Sequence, residues 1–245
     1  MPPADAGGSD FCYIELVQSD IAENLKAIHR RIGEAAARSG RDANEIKLVA
    51  VSKTHPPTVL RQAMNAGASV LGENKVQEAE SKIAELGRDA AEWHLIGHLQ
   101  SNKARKAVQL FDVIQSLDSL ELAQRLERIC DEEGRDELPV FIEVNLAGED
   151  TKAGIPESGL PALVDYLKTC KHLRLDGLMI VPPYDDDVEN TRQYFKRLRE
   201  IRDDLLANGG LSMGMSHDFE TAIEEGATVV RVGTAIFGER FYAER

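Results

Sequence analysis

Eight times along these 245 residues a short apolar run gives way to a stretch with helical spacing, and no other feature restricts the fold as tightly. The runs centre on Leu48–Val51, Ser69–Leu71, Trp93–Ile96, Asp112–Gln115, Val140–Leu146, Leu175–Ile180, Leu211–Met213 and Thr228–Val232. Helical patterns follow at Pro57–Asn65, Val76–Leu86, Asn102–Val108, Ser119–Glu132, Pro156–Thr169, Val188–Ala207, Asp218–Glu225 and Ala235–Phe241. Strands that alternate with helices pair in parallel through right-handed crossovers. Eight such units without a long linker predict a single closed (β/α)8 barrel, with an open doubly wound sheet as the other arrangement periodicity allows. No G-x-G-x-x-G run follows the first strand, which counts against a dinucleotide-binding sheet. Ahead of the barrel, Ser19–Arg38 reads as a helix with Ile21, Leu25, Ile28 and Ile32 on one face and an Asp20–Glu23 capping box at its start. Residues 1–18 are expected to be a flexible segment and 19–245 a single domain.

A formal net charge of -13 argues against a polynucleotide partner, whose phosphates call for clustered Lys and Arg. The apolar runs are too short to span a bilayer and no leader-like segment is evident, so the expectation is a cytoplasmic protein off the membrane. Cys12, Cys130 and Cys170 have neither disulfide nor metal-ligand spacing and read as indifferent thiols.

In a barrel of this kind the chemistry lies at the C-terminal ends of the strands. Those ends carry Ser52-Lys53, Gly72-Glu73-Asn74, Gly97-His98, Ser116, Asn145, Pro182-Pro183, the run Ser212-Met213-Gly214-Met215-Ser216, and Arg231-Val232-Gly233-Thr234. A lysine at the mouth of a buried strand is partly desolvated, which favours its neutral, nucleophilic amine, although on position alone a lysine that simply reaches solvent is the commoner case. The last two loops combine small residues and hydroxyls at helix starts, a composition suited to an anion such as phosphate. On an alternating strand Arg231 and Gly233 share one face while Val230 and Val232 take the other. An amine, a phosphate cradle and an arginine between them match pyridoxal 5'-phosphate (PLP): aldehyde on Lys53, phosphate on Ser216, Gly233 and Thr234, ring nitrogen on Arg231. Arginine does not readily give up its proton, so such a cofactor would be a weak electron sink.

These residues resemble the pyridoxal phosphate homeostasis protein family, also called the proline synthase co-transcribed homologues. The matching stretches run from Ile46 to Gly238. They are Leu48–Thr54, Gly72–Asn74 with Val76–Glu78, Trp93–Lys103, Glu143–Asn145, Lys152–Gly154, Leu211–Ser216 and Arg231–Gly238. The resemblance implies a barrel of the alanine racemase N-terminal type, with PLP held as an internal aldimine on Lys53. It further implies that Asn74 and Met213 line the pocket, Ser216, Gly233 and Thr234 hold the phosphate, and Arg231 meets the ring nitrogen. Family members are considered PLP carriers without established catalysis, so the resemblance implies a role in vitamin B6 and amino-acid balance. Possible recipients are apo PLP-dependent enzymes.

Racemases of this fold add a second domain that supplies a catalytic tyrosine. The chain ends soon after its eighth strand, so no such domain is expected, and a monomer is expected with it. The alternative activity is a PLP-dependent racemase or lyase acting on a small amino acid, with Tyr184 or Tyr242 as stand-in acid–base groups. A third reading is a barrel isomerase or aldolase for phosphorylated sugars. His94 reads as a satisfied core histidine, Lys152 as a loop lysine near the cofactor end, and Asp185-Asp186-Asp187 as the cap of the long helix.

Overall fold

The computed structural model describes residues 8–148 and 153–238, with side chains from residue 21 onward. Its strands are β1 (Lys47–Val51), β2 (Val70–Glu73), β3 (Glu92–Leu95), β4 (Val113–Leu117), β5 (Leu138–Glu143), β6 (Leu173–Met179), β7 (Gly210–Ser212) and β8 (Val229–Val232). The helices are α1 (Gly8–Arg38), α2 (Pro57–Asn65), α3 (Val76–Leu86), α4 (Ala104–Leu110), α5 (Leu120–Glu133), α6 (Leu160–Leu167), α7 (Val188–Leu205), α8 (Phe219–Glu224) and α9 (Thr234–Phe237). All eight strands pair in parallel in chain order, and β1 pairs with β8, Ala50 opposite Val232, so the sheet closes. The open sheet is thereby excluded.

Alternation along the strands builds two cores. Ala50, Leu71, Trp93, Leu211, Val230 and Val232 face outward into the large cluster shared with the helices. Val49, Val70, Val113, Phe141, Met179 and Val229 form a smaller cluster inside the barrel. β6 and β7 approach each other closely where Gly177 pairs with Gly210. A Cβ on Gly177 would meet the Gly210 carbonyl oxygen at 2.1 Å, so only glycine fits there.

Two helices depart from the sequence reading. α1 runs on N-terminally through Asp20, so the Asp20–Glu23 pair does not begin it. No Gly or Pro occurs between Ser9 and Ile32, and nothing there stops the helical ladder. The expected helix from Pro156 starts instead with a 3-10 turn at Glu157–Gly159, because Pro161 is tolerated only in the first turn of α6.

Ile21, Leu25, Ile28 and Ile32 are buried as the spacing predicts, each contributing roughly 1.5–3 kcal/mol of transfer free energy. This face lays α1 against the last units of the barrel. Arg31 forms a forked ion pair with Glu220 and lies 4.5 Å over the Phe219 ring, while Asn24 donates to the Ile236 carbonyl. Asp187 caps α7 by accepting from the Glu189 N–H. No described helix is long and apolar enough to cross a membrane.

Candidate functional site

Lys53 sits two residues past the end of β1, half-buried, on the C-terminal rim. The backbone that presents it is held from behind. Lys82, on α3 and only 4% exposed, donates to the Ser52 carbonyl (2.8 Å), to Glu73 Oε1 (2.7 Å) and to Glu78 Oε1 (2.7 Å). Ser52 Oγ donates to the same Glu73 oxygen at 2.6 Å, and the Thr54 N–H donates to Glu78. Burial pushes the Glu73 carboxyl up despite the Lys82 charge beside it. Burial also works against Glu78, but hydrogen bonds from Lys82 and the Thr54 N–H, with the Lys82 charge, bring its carboxyl below the usual range. Thr54 adopts φ 70°, a left-handed conformation that costs a β-branched residue energy, directly after Lys53. Glu73 therefore belongs to a brace behind the rim and not to the mouth itself.

Across the β1–β8 seam lies the second half of the site. A Cβ added to Gly233 would lie 3.3 Å from the Val51 backbone oxygen, so the loop after β8 passes close beside the end of β1. Ser216, from the loop after β7, accepts hydrogen bonds from the Gly233 N–H (3.2 Å) and the Ala235 N–H (3.3 Å). The two loops are thus drawn together at the start of α9, and the Ser216 hydroxyl keeps a proton to donate. Gly214 makes this turn possible: its φ is 91°, and a Cβ there would meet Ala222 at 2.6 Å and the Phe219 backbone at 2.8 Å. Asp218 Oδ1 accepts from the Met215 N–H (2.7 Å) and braces the same turn. Met213 is fully buried in the outer core, so its side chain faces the helices and it offers the mouth only backbone. Thr234 is exposed at the first position of α9.

Arg231 lies inside the barrel, 3% exposed, donating to Ser212 Oγ (2.6 Å) and to the Ile180 carbonyl (2.8 Å). Burial lowers its guanidinium pKa to about 10. Asn74 stands between β2 and α3, and its carbonyl packs where a Cβ on Gly97 would come within 2.5 Å. Among the described residues three buried acceptors near this end have no protein partner: Asn74 Oδ1, Glu143 Oε2 and, in the brace behind the rim, Glu73 Oε2. Glu143, at the end of β5, is 7% exposed, and burial, partly offset by the Arg231 charge, pushes its carboxyl up to about 7. Glu143 lies within the Glu143–Asn145 motif, and the sequence alone assigns it no role. Its only signal was its inward parity with Phe141 at a strand's C-terminal end.

Other candidates lie elsewhere. Tyr184 is 75% exposed, bonds Asp186, and tilts against the His217 ring at 5.5 Å. His94 is a satisfied interior histidine, as read, bonded to Glu92 and Gln115. Lys152 and Tyr242 lie outside the described residues. Burial raises the Cys130 and Cys170 thiols to about 11, which makes them poor nucleophiles. A cavity of about 620 Å3 opens at the opposite, N-terminal end of the barrel beside Lys47, Glu92 and Val229; the converging amides of the rim lie at the other end.

The alanine racemase N-terminal domain family matches residues 23–241. A curated relative from Aquifex aeolicus, a pyridoxal phosphate homeostasis protein, is 44% identical over 90% of this chain and 98% of its own. The chain belongs to the pyridoxal phosphate homeostasis protein family. A second member, from Pseudomonas aeruginosa, is 46% identical over 91% of this chain and 97% of its own. Among solved structures, PipY of Synechococcus elongatus with PLP bound superposes with a TM-score of 0.76 at 40% identity, covering 89% of this chain and 100% of that one. The family and the barrel inferred from the motifs are therefore those of the chain.

Proposed function

We propose that this protein binds PLP at the C-terminal rim of its barrel and acts as a carrier in vitamin B6 homeostasis, as the names of its relatives suggest. One observation carries the reading: a lysine and a pair of loops closed on each other by Ser216 share one rim of one barrel, with a buried arginine just inside it. The buried acceptors on Asn74 and Glu143 support a polar ligand there, since such atoms are seldom left without a donor.

In this reading Lys53 supplies the amine that bonds the cofactor aldehyde, with loss of water. The Ser216 hydroxyl proton and Thr234 face the phosphate, Gly233 shapes the turn with its N–H on Ser216 Oγ, Asn74 lines the pocket, and Met213 contributes backbone. Arg231 faces the ring nitrogen. When bound, PLP offers a reactive aldehyde and an electron-accepting ring; next to an arginine that keeps its proton the ring accepts electrons weakly, which suits holding more than turnover. The rest of the reading is a cytoplasmic monomer whose single domain, residues 19–245, delivers the cofactor to apo-enzymes.

The test is a titration with PLP followed by visible absorbance. The wild-type protein is expected to develop a saturable band that Lys53→Ala abolishes. No band, or one that Lys53→Ala retains, would contradict the proposal. Transfer to an apo-enzyme and sedimentation of the loaded protein test delivery and the monomer.

A further inference from the structure

Behind Arg231 a file of polar side chains crosses the barrel interior, and the proposed function leaves it unused. Arg231 Nη1 donates to Ser212 Oγ at 2.6 Å, Ser212 Oγ donates to Gln115 Oε1 at 2.6 Å, and Gln115 Nε2 reaches His94 Nδ1 at 2.6 Å. His94 Nε2 then meets Glu92 Oε1 at 2.8 Å, and Lys47 Nζ holds the same carboxylate at 2.8 and 3.1 Å. The file links β8, β7, β4 and β3 in turn and ends beside the cavity at the N-terminal end.

Chemistry fixes the direction of every bond. Hydrogen bonding from His94 holds the Glu92 carboxyl down at about 2, so it can only accept and the imidazole proton sits on Nε2. Burial keeps the ring neutral, so Nδ1 accepts from the Gln115 amide nitrogen. The amide carbonyl must then face Ser212, whose proton it takes, leaving a serine lone pair for Arg231. His94, Gln115 and Ser212 are each at most 1% exposed, so water cannot substitute for a missing member without a cavity. The Glu143 and Asp218 carboxyls act on Arg231 through charge, while the two groups that accept its hydrogen bonds here, Ser212 Oγ and the Ile180 carbonyl, are neutral and set its direction.

We propose that Ser212, Gln115 and His94 are positioning residues that act as one unit to fix the Arg231 guanidinium. What Arg231 faces rests on the function proposed above; the chain of bonds does not. Ser212→Ala, Gln115→Met and His94→Phe break it at three depths, and only the first touches Arg231.

In the protein without cofactor, water exchange of the Arg231 guanidinium protons, assigned by loss of the signal in Arg231→Lys, is read by NMR. It is expected to speed up at least tenfold in Ser212→Ala and to a lesser degree in the other two. With nitrogen-15 PLP bound, the ring-nitrogen resonance is expected to move in all three. The His94→Phe/Ser212→Ala double variant is expected to move it no further than Ser212→Ala alone, since both break one chain. Unchanged exchange in Ser212→Ala, or additive shifts in the double variant, overturns the proposal. Should one of the larger substitutions fail to fold, the other still reports whether a break beyond Ser212 reaches Arg231, and Ser212→Ala, which removes a single atom, decides the serine's part. Failure of the wild type to take up PLP overturns the functional reading alone, and the exchange measurement still decides the chain.

Discussion

Glu143 shows how much one buried carboxyl can impose on the protein around it. Its raised pKa, about 7, means the folded protein keeps a proton that the unfolded chain releases near the ordinary value of 4.5. Stability that depends on this proton is present below that ordinary value and is lost as pH rises through about 7, on the order of 3 kcal/mol at most. Glu143→Gln, which keeps the shape without the charge, should therefore flatten the fall in stability of the cofactor-free protein between pH 4.5 and 7, measured by urea unfolding at each pH. A slope identical to wild type would show that Glu143 does not titrate with folding. Lys82 makes the complementary case. Lys82→Met leaves Glu73, 0% exposed, without its cation and should cost about 3–5 kcal/mol. Adding Glu73→Gln should recover much of that loss in the same unfolding assay. A Lys82→Met variant within about 0.5 kcal/mol of wild type, the scatter of a surface substitution, would mean the pair braces nothing.

At the scale of elements, the loops after β7 and β8 work as one piece because Ser216 spans them. Ser216→Ala leaves the Gly233 and Ala235 amides without their shared acceptor and should cost about 1 kcal/mol of stability, as the loss of a helix cap does. It also removes a hydroxyl donor from the proposed phosphate site, and PLP should bind about tenfold or more weakly, by fluorescence titration. Unaltered affinity would move the phosphate elsewhere on the rim. These loops could be read from sequence because Gly214, Ser216, Gly233 and Thr234 are residue types that turn chemistry selects. The start of α1 could not: Asp20 and Glu23 satisfy a local capping pattern, yet a continuous helix forms through them. The break before α6 is marked in the sequence by Pro161, which fits only a helix's first turn.

Over the whole molecule, the strand count was written in the alternation of apolar runs and helical periods, and closure followed from the count of eight and not from periodicity itself, since it is a pairing of Ala50 with Val232 across most of the chain. The rim residues were legible for a simple reason: strand order and strand direction decide which residues reach one end of a parallel barrel. The interior file from Arg231 to Glu92 was illegible, because it joins four strands through side chains whose partners are 2 to 97 positions apart. Glu143 fell between these cases, its inward direction predictable and its missing partner not. One measurement bears most directly on the central claim that Lys53 is the amine facing the two closed loops. The protein is incubated with PLP and reduced with borohydride, then digested and mapped by mass spectrometry. The account predicts the reduced cofactor on the peptide containing Lys53, and on that peptide alone; a label on Lys47, Lys75 or Lys103, or none, would contradict it.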